Sequence, residues 1–336
     1  MMVDALGRTL DYLRLSLTDR CNLRCVYCMP EGGLVSKSHT AILRLEEKLR
    51  LCKILCELGI RRVKLTGGEP LLQKNLDYFL RELKKTPFLE QITLTSNGLL
   101  LGDFLTSLGP EAPSLIAAIN ISLNSTDAEL YAKMARREAL SQALAGAHLA
   151  KSLNIPVKLN CVPLRGYNEA TLADLAQLAE SQFEAVRFIE LMPMGLAAHL
   201  EGLPMAEILE LLEKRFGPLV EDNSKLGNGP AVYYKIAGFK GKIGFISAMS
   251  HGFCSSCNRL RLSSDGFLKA CLASDQGLDL KSPLRSGASD QELKAAIEGL
   301  AASKPMAHAF VGSDNQSLEN SPQPYRGPLG MYRIGG

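Results

Sequence analysis

The sequence predicts an α/β protein: a partial, open TIM-type barrel of six β/α units followed by a C-terminal extension. Six short segments with strand-like alternation are separated by longer segments with a helical period, and this order is typical of parallel sheets. Six units are fewer than the eight that close a full barrel. Each predicted strand also carries one polar face, which favours an open barrel around a polar ligand over a closed, apolar interior.

The predicted strands cover 11–17, 60–66, 91–96, 117–124, 155–162 and 185–191. In the first strand Leu13 and Leu15 alternate with Arg14 and Ser16, and later strands repeat this pattern. Helices are predicted between the strands, including 43–59 and 172–182. An antiparallel sheet with one hydrated face is the alternative, but the intervening helices make it the weaker one.

The pattern changes near residue 220, so we predict a barrel domain over 1–220 and a C-terminal domain over 221–336. The second region contains strand-like pieces at 231–237 and 242–247 and a helical pattern near 290–302. Its last 25 residues are rich in Gly, Pro, Ser and Asn and end in Gly335-Gly336, which predicts an extended tail.

Charge and hydropathy exclude several classes of protein. The 38 Lys and Arg residues nearly balance 35 Asp and Glu, and the net charge of +3 predicts neither a nucleic-acid nor a membrane partner. The N-terminus lacks the pattern of a signal peptide, and no apolar stretch is long enough to span a bilayer. We therefore expect a cytoplasmic protein, in which clustered cysteines indicate metal binding or catalysis instead of disulfides.

Three of the nine cysteines, Cys21, Cys25 and Cys28, form a C-x3-C-x2-C motif. A structural zinc ion takes four ligands, whereas three thiolates on a 4Fe–4S cluster leave one iron open to a ligand that is not protein. Three buried thiols on one helix face are the alternative, which the charged and polar neighbours disfavour. Cys52 and Cys56 have helical spacing inside 43–59 and are predicted core residues.

A second triplet, Cys254, Cys257 and Cys271, follows the spacing C-x2-C-x13-C. With His251 it also matches a zinc site, and the spacing alone leaves cluster and zinc open. In a strand, Arg259 and Arg261 point the same way, and such a pair suits phosphate oxygens. Two solvated arginines on an exposed strand are the alternative.

Three further cations, Arg14, Lys64 and Lys158, fall on the predicted inner faces of the barrel strands. Only Glu69 and Glu190 are visible acidic candidates for that lining. Because buried charges need a counter-ion, this imbalance predicts a polyphosphate ligand.

The cysteine loop and "LTGGEP" at 65–70 resemble the radical S-adenosylmethionine superfamily, including the aromatic Tyr27 before the third cysteine. Gly67 and Gly68 allow close backbone approach to a ligand, and Pro70 keeps Glu69 extended. The resemblance implies that this segment holds the methionine end of S-adenosylmethionine at the open iron.

From about Tyr12 to the C-terminus, the chain also resembles the molybdenum cofactor biosynthesis protein A family, the GTP 3′,8-cyclases. The motifs are "LRLSLTDRCNLRCVYCMP", "LTGGEP", "INISLNS", "RFIELMP", "FCSSCNRLRLSSDG" and "IGG". The resemblance implies a lyase that converts GTP to (8S)-3′,8-cyclo-7,8-dihydroguanosine 5′-triphosphate with S-adenosylmethionine and two 4Fe–4S clusters. It favours the cluster over zinc at the second triplet.

The resemblance also implies roles for individual residues. Catalytic residues would be Cys21, Cys25, Cys28, Arg259 and Arg261, and cluster ligands would be both cysteine triplets. S-adenosylmethionine would contact Tyr27, Gly67, Gly68, Glu69, Ser122 and Met192, and GTP would contact Arg14, Lys64, Thr95, Lys158, Arg259, Leu260 and Arg261. Lys64 and Asn124 depart from the family pattern, in which arginine and aspartate are common.

The implied partners are GTP, an external electron donor and cyclic pyranopterin monophosphate synthase, which would receive the product; a homodimer is an open expectation. Two other functions stay open from the residues alone. One is a radical peptide-modifying enzyme with an auxiliary cluster, although such domains carry more cysteines. The other is a zinc-stabilised nucleic-acid binder, which the low charge and the 6% aromatic content disfavour.

Overall fold

A computed structural model describes residues 1–33, 38–308 and 310, so the tail that ends in Gly335-Gly336 lies outside the described residues. The described residues form twelve strands: Tyr12–Ser16 (β1), Arg62–Thr66 (β2), Gln91–Ser96 (β3), Ala118–Ser122 (β4), Val157–Cys161 (β5), Ala185–Ile189 (β6), Val220–Asp222 (β7), Val232–Lys235 (β8), Lys242–Ile246 (β9), Arg259–Leu262 (β10), Phe267–Lys269 (β11) and Leu278–Asp279 (β12). The first six lie where the sequence predicted them.

The α-helices of the same residues are Leu45–Leu58 (α1), Leu76–Lys84 (α2), Leu101–Leu108 (α3), Ala112–Leu115 (α4), Ala128–Ala135 (α5), Leu140–Ser152 (α6), Leu172–Gln177 (α7), Met205–Phe216 (α8), Lys281–Arg285 (α9) and Asp290–Ala302 (α10). The helix α1 ends at Gly59 as predicted, with φ of 133°. The helix α7 is shorter than predicted, because i→i+3 bonds such as Glu180 N to the Gln177 oxygen tighten the chain after its last turn. Within this part of the chain no helix is long and apolar enough to cross a bilayer.

The described residues divide into two compact units, the first from those within 1–22, 34–94 and 254–336 and the second from 23–33 and 95–253. Residues beyond 220 thus contribute to both units. The division at residue 220 remains a prediction about domains.

In the first unit the strand order is β12-β11-β10-β1-β2-β3. The strands β10, β1, β2 and β3 pair in parallel, and β11 and β12 extend the sheet antiparallel. Side chains such as Leu13, Leu15 and Val63 are fully buried on one face. The sequence did not predict that a strand from beyond residue 220, β10, would pair in parallel with β1.

In the second unit the order is β4-β5-β6-β9-β8-β7. The strands β4, β5, β6 and β9 are parallel, and β8 and β7 are antiparallel additions. In β5, Val157, Leu159 and Cys161 are buried and alternate with Lys158 and Asn160. The two-residue period therefore gives this unit one apolar and one polar strand face, as predicted.

Candidate functional site

The first cysteine loop follows β1 and is anchored by its backbone. Arg24 N donates to the Ala135 carbonyl oxygen at 3.0 Å and Val26 N to that of Met134 at 2.9 Å, at the C-terminal end of α5. A turn in which Cys28 N donates to the Cys25 carbonyl at 2.9 Å carries two of the thiols. Cys21 lies in the first unit, while Cys25 and Cys28 lie in the second.

None of the three cysteines of this loop forms a disulfide within the described residues, and all three are half-buried. Cys52, Cys56 and Cys161 are fully buried, and burial raises the pKa of Cys56 to about 11. These three are core residues, as predicted for Cys52 and Cys56. Cys161 accepts a hydrogen bond from Asn168 Nδ2 at 3.4 Å, which gives it a packing role.

The glycine pair after β2 holds the start of the cysteine loop. Gly68 N donates to the Thr18 carbonyl at 2.7 Å, and Glu69 N donates to that of Arg20 at the same distance. A Cβ atom on Gly68 would lie 2.2 Å from the Arg20 oxygen. The structure shows both glycines in close contact with the protein's own backbone, and their approach to a ligand remains a prediction. Glu69 is buried and extended before Pro70, as predicted.

Tyr27 is fixed by Asn124, one of the two departures from the family pattern. The Asn124 amide nitrogen donates to the Tyr27 hydroxyl oxygen at 3.1 Å, and its Oδ1 accepts from Val162 N at 3.0 Å. Burial, followed by the Cys25 and Cys28 thiols, raises the pKa of Tyr27 well above its usual value. The phenol therefore stays neutral. Ser122, at the end of β4, and Met192, after β6, are half-exposed in the same unit.

A row of cations crosses four strands of the first unit. Arg14 in β1 is in register with Arg261 in β10 and with Lys64 in β2, and Arg261 is also in register with Lys269 in β11. Residues in register point to the same face, so these four cations lie side by side. Arg259, two residues from Arg261, shares that face. The sequence predicted three of the four and missed Lys269.

The positive charges in this row repel one another. Burial, and then the charges of Arg14 and Arg259, lower the pKa of Arg261 well below its usual value. Lys269 is fully buried, and its Nζ has no hydrogen-bond partner among the described residues. Burial also lowers the pKa of Lys269. An anion bound to this face would relieve both the repulsion and the buried ammonium.

Leu260 lies between the two arginines of β10 but points the other way. Its side chain is fully buried and in register with Leu13. The side chain is therefore a core residue, and a contact of Leu260 with substrate remains a prediction for its backbone alone.

In the second triplet, Cys254, Cys257 and Cys271 likewise form no disulfide within the described residues and are half-buried. Burial alone would raise the pKa of Cys257, but the charges of Arg259 and Lys304 lower it to about 7. Over the described part of the chain, no group of three or more His, Cys, Asp or Glu side chains is drawn together around a single ion. Accessible thiols beside cations nevertheless fit a thiolate-ligated cluster, because cations favour the thiolate form.

The second unit presents its own cations on its polar strand face. The Lys158 ammonium donates to the Leu226 carbonyl at 2.7 Å. Burial, and then the Arg187 charge, lower the pKa of Lys158 to about 8. Arg187 Nη2 donates to Asn120 Oδ1 and to Asn160 Oδ1, both at 2.7 Å. Thr95, predicted as a substrate contact, is 3.4 Å from the Asn120 amide nitrogen.

The sequence did not lead us to predict Arg187 in β6 as a site residue, although a signal existed. In "AVRFI" it stands between Val186 and Phe188, which places it on the polar face by the same alternation that singled out Lys158.

Comparison with known proteins identifies the family. A model described as the radical SAM superfamily matches residues 15–179, and one described as Molybdenum Cofactor Synthesis C matches residues 184–310. A GTP 3′,8-cyclase from Petrotoga mobilis is 40% identical over 333 residues, which are 96% of this chain and 99% of that protein. Proteins of the same name from Moorella thermoacetica and Clostridium perfringens are 41% and 40% identical, with complete coverage of both chains.

Among solved structures, SuiB from Streptococcus suis gives a TM-score of 0.55 at 13% identity, over 86% of this chain and 68% of that one. A likeness at this identity concerns the fold alone, and it confirms the predicted partial barrel with a C-terminal extension. Together with the full-length relatives, it leads to one conclusion: the chain belongs to the radical S-adenosylmethionine superfamily and, within it, to the GTP 3′,8-cyclase family.

Proposed function

We propose that this chain converts GTP to (8S)-3′,8-cyclo-7,8-dihydroguanosine 5′-triphosphate, the first step of molybdenum cofactor biosynthesis. The observation that carries the proposal is the match along the full chain to relatives named GTP 3′,8-cyclase. Two triplets of accessible thiols and the cation row of the first unit support it. Neither a peptide-modifying enzyme nor a nucleic-acid binder has comparable support.

In this proposal each triplet holds a 4Fe–4S cluster: Cys21, Cys25 and Cys28 the first, and Cys254, Cys257 and Cys271 the second. The first cluster and S-adenosylmethionine, when bound, supply the electron and the 5′-deoxyadenosyl radical that start the cyclisation. The chain's own residues bind, orient and shield the reactants.

The residues assigned to S-adenosylmethionine are Tyr27, Gly67, Gly68, Glu69, Ser122 and Met192. Among them, Tyr27 is a neutral phenol whose oxygen accepts from Asn124. Its own proton is therefore available for donation to a bound ligand. With aspartate at position 124 the phenol would donate to the carboxylate instead, so the asparagine changes the direction of this hydrogen bond.

The residues assigned to GTP in the first unit are Arg14, Lys64, Arg259, Leu260 and Arg261, to which the register adds Lys269. In the second unit they are Thr95 and Lys158, to which we add Arg187. The guanidinium groups bind phosphate oxygens bidentately, whereas Lys64 acts as a point charge without the fork of the more common arginine.

The proposal extends to partners and location. The reaction needs an external one-electron donor, and the product is passed to cyclic pyranopterin monophosphate synthase. A cytoplasmic location suits nine reduced cysteines. A homodimer remains an expectation.

The Gly335-Gly336 tail is proposed to enter the substrate pocket. Its deletion should therefore abolish turnover while both clusters are retained, and full activity of the truncated protein would refute that role.

Anaerobic turnover tests the proposed function. The reconstituted protein is mixed with S-adenosylmethionine, a strong reductant and GTP, with ATP and nucleotide-free mixtures as controls, and 5′-deoxyadenosine is quantified. We expect its formation with GTP alone, together with a cyclised GTP product by mass. Equal formation in all three mixtures would refute GTP as the substrate.

A matched pair of cysteine variants separates chemistry from folding. Cys28→Ala removes a proposed cluster ligand and is expected to abolish 5′-deoxyadenosine formation. Cys52→Ala removes a buried thiol of α1 and is expected to keep both clusters and most of the activity. Equal loss in the two variants would contradict the assignment of Cys28.

A further inference from the structure

Two buried cations, Arg8 and Lys304, tie together the three peptide segments that carry the second cysteine triplet. Their side chains are distant in sequence from the cysteines, and both belong to the first unit. Arg8 is 8% exposed and Lys304 is 5% exposed. Neither residue is among the proposed cluster ligands or the proposed contacts of S-adenosylmethionine and GTP.

Arg8 uses every N–H group of its guanidinium on the protein. Its Nε donates to Asp4 Oδ2 at 2.5 Å. Its Nη1 donates to the carbonyl oxygens of Cys254 at 2.8 Å and Met306 at 3.3 Å, and its Nη2 to those of Lys304 at 3.2 Å and Pro305 at 2.8 Å. A guanidinium has five N–H donors, so this set is complete. Arg8 thereby joins the peptide of Cys254 to the segment 304–306.

Lys304 joins the other two cysteines. Its Nζ donates to the carbonyl oxygen of Arg259 at 2.9 Å and to that of Ala270, the residue before Cys271. It also hydrogen-bonds the Cys257 thiol. The three protons of an ammonium group match these three partners in number, so a charged Lys304 would be fully hydrogen-bonded here.

We propose that Lys304, held in place by Arg8, is a positioning residue of the second 4Fe–4S cluster and raises the reduction potential of that cluster. The inference rests on the proposed function, which places the cluster on this triplet. Hydrogen bonds to the sulfur ligands and nearby charge are known determinants of cluster potential.

The sign of the effect follows from charge. One-electron reduction adds one negative charge to a site already carrying three thiolates, and an external reductant supplies that electron. A buried ammonium hydrogen-bonded to the Cys257 sulfur stabilises the added charge more than water would, because the local dielectric constant is low. Removing the ammonium therefore makes the cluster harder to reduce.

The test measures potential instead of turnover. The parent protein carries Cys21→Ala, Cys25→Ala and Cys28→Ala, so that only the second triplet can bind a cluster. The midpoint potential of that cluster is measured by electron paramagnetic resonance during an anaerobic redox titration. Lys304→Met should lower the equilibrium constant for one-electron reduction of the cluster at least tenfold. This corresponds to a midpoint potential lower by about 59 mV. Lys304→Arg should retain most of the parent value.

Two further variants keep the result interpretable. Lys294→Met removes a half-buried α10 lysine that pairs with Glu57, and it should leave the midpoint potential unchanged. Lys304→Gln keeps a hydrogen-bond donor without the charge, so it decides the question if Lys304→Met fails to fold. If an iron-loaded Lys304→Gln or Lys304→Met protein has the midpoint potential of the parent, the inference about Lys304 is overturned and the proposed function is not. A parent that binds zinc, or no iron, at the second triplet would overturn the cluster assignment and the inference with it.

Discussion

Replacing Gly68 with alanine is expected to destabilise the first unit and to displace the start of the cysteine loop. The added methyl group would lie 2.2 Å from the Arg20 oxygen and 2.8 Å from the Asp19 oxygen. Carbon and oxygen atoms in contact are normally at least about 3.3 Å apart. The facing backbone must therefore move by about 1 Å, and backbone cannot rotate away as a flexible side chain does.

The magnitude follows from what that movement breaks. The hydrogen bonds from Gly68 N to Thr18 and from Glu69 N to Arg20 are both 2.7 Å long. Each contributes about 1 kcal/mol, and overpacking costs about 1–3 kcal/mol more. We expect Gly68→Ala to lower the free energy of unfolding by about 3–5 kcal/mol.

Gly299 provides a matched control in the same unit. It lies inside α10, and an added Cβ would meet no atom within 4 Å. Gly299→Ala should therefore raise the free energy of unfolding by about 0.5–1 kcal/mol. Urea denaturation followed by circular dichroism gives both values, and iron content after reconstitution reports the first cluster. The reasoning would be refuted by a Gly68→Ala protein with full iron content whose free energy of unfolding is within about 1 kcal/mol of the wild-type value.

Three other changes have expected outcomes. Because the folded-state pKa of Lys158 is about 8 and its ordinary value is 10.5, the unfolded chain binds more protons between these pH values, and stability should rise with pH across that window. Lys158→Met should remove this rise, worth up to about 3 kcal/mol, and an unchanged pH profile of unfolding would contradict the burial argument. Lys269→Met should stabilise the ligand-free protein and raise KM for GTP roughly tenfold to a hundredfold, since a charged hydrogen bond is worth about 1.5–3 kcal/mol; a KM equal to that of the wild type in steady-state kinetics would exclude contact with GTP. Arg285 lowers the pKa of Glu47 to about 2, so Glu47→Gln should be less stable than the wild type by about 1–3 kcal/mol at pH 7. That difference should vanish as the pH falls from about 4.5 to about 2, and a constant difference in denaturation experiments would disprove the linkage.

The sequence was sufficient for the strands of the barrel because their signal is local. Alternation with period two located β1 to β6 and put Arg14, Lys64 and Lys158 on the polar faces, where the structure has them. The same local rule contained Arg187, which went unnoticed because it stands in an otherwise apolar strand. For these residues, position along the strand determines the face.

Register and distant contacts are not local, and here the sequence was insufficient. The alignment of Lys269 with Arg261 depends on how β11 pairs with β10, and a slip of one residue would turn the lysine to the opposite face. Likewise, Arg8 reaches Cys254 across 246 positions of the chain. No spacing rule connects residues so far apart, because their contact exists only after the sheet has formed.

Two kinds of buried cation lie near the second triplet, and they differ in their hydrogen bonds. Arg8 donates all its N–H groups to protein acceptors, and Lys304 donates to two carbonyl oxygens and hydrogen-bonds Cys257, so both side chains have their partners within the protein. Lys269 is fully buried and its Nζ donates to nothing among the described residues, although it stands beside Arg261 in the cation row. A satisfied cation loses nothing when the protein is ligand-free, whereas an unsatisfied one gains a partner when an anion arrives. On this ground we assign Lys304 to the cluster and Lys269 to the phosphates of GTP. The two methionine variants should differ accordingly: the Lys304 variant in cluster potential, the Lys269 variant in nucleotide affinity.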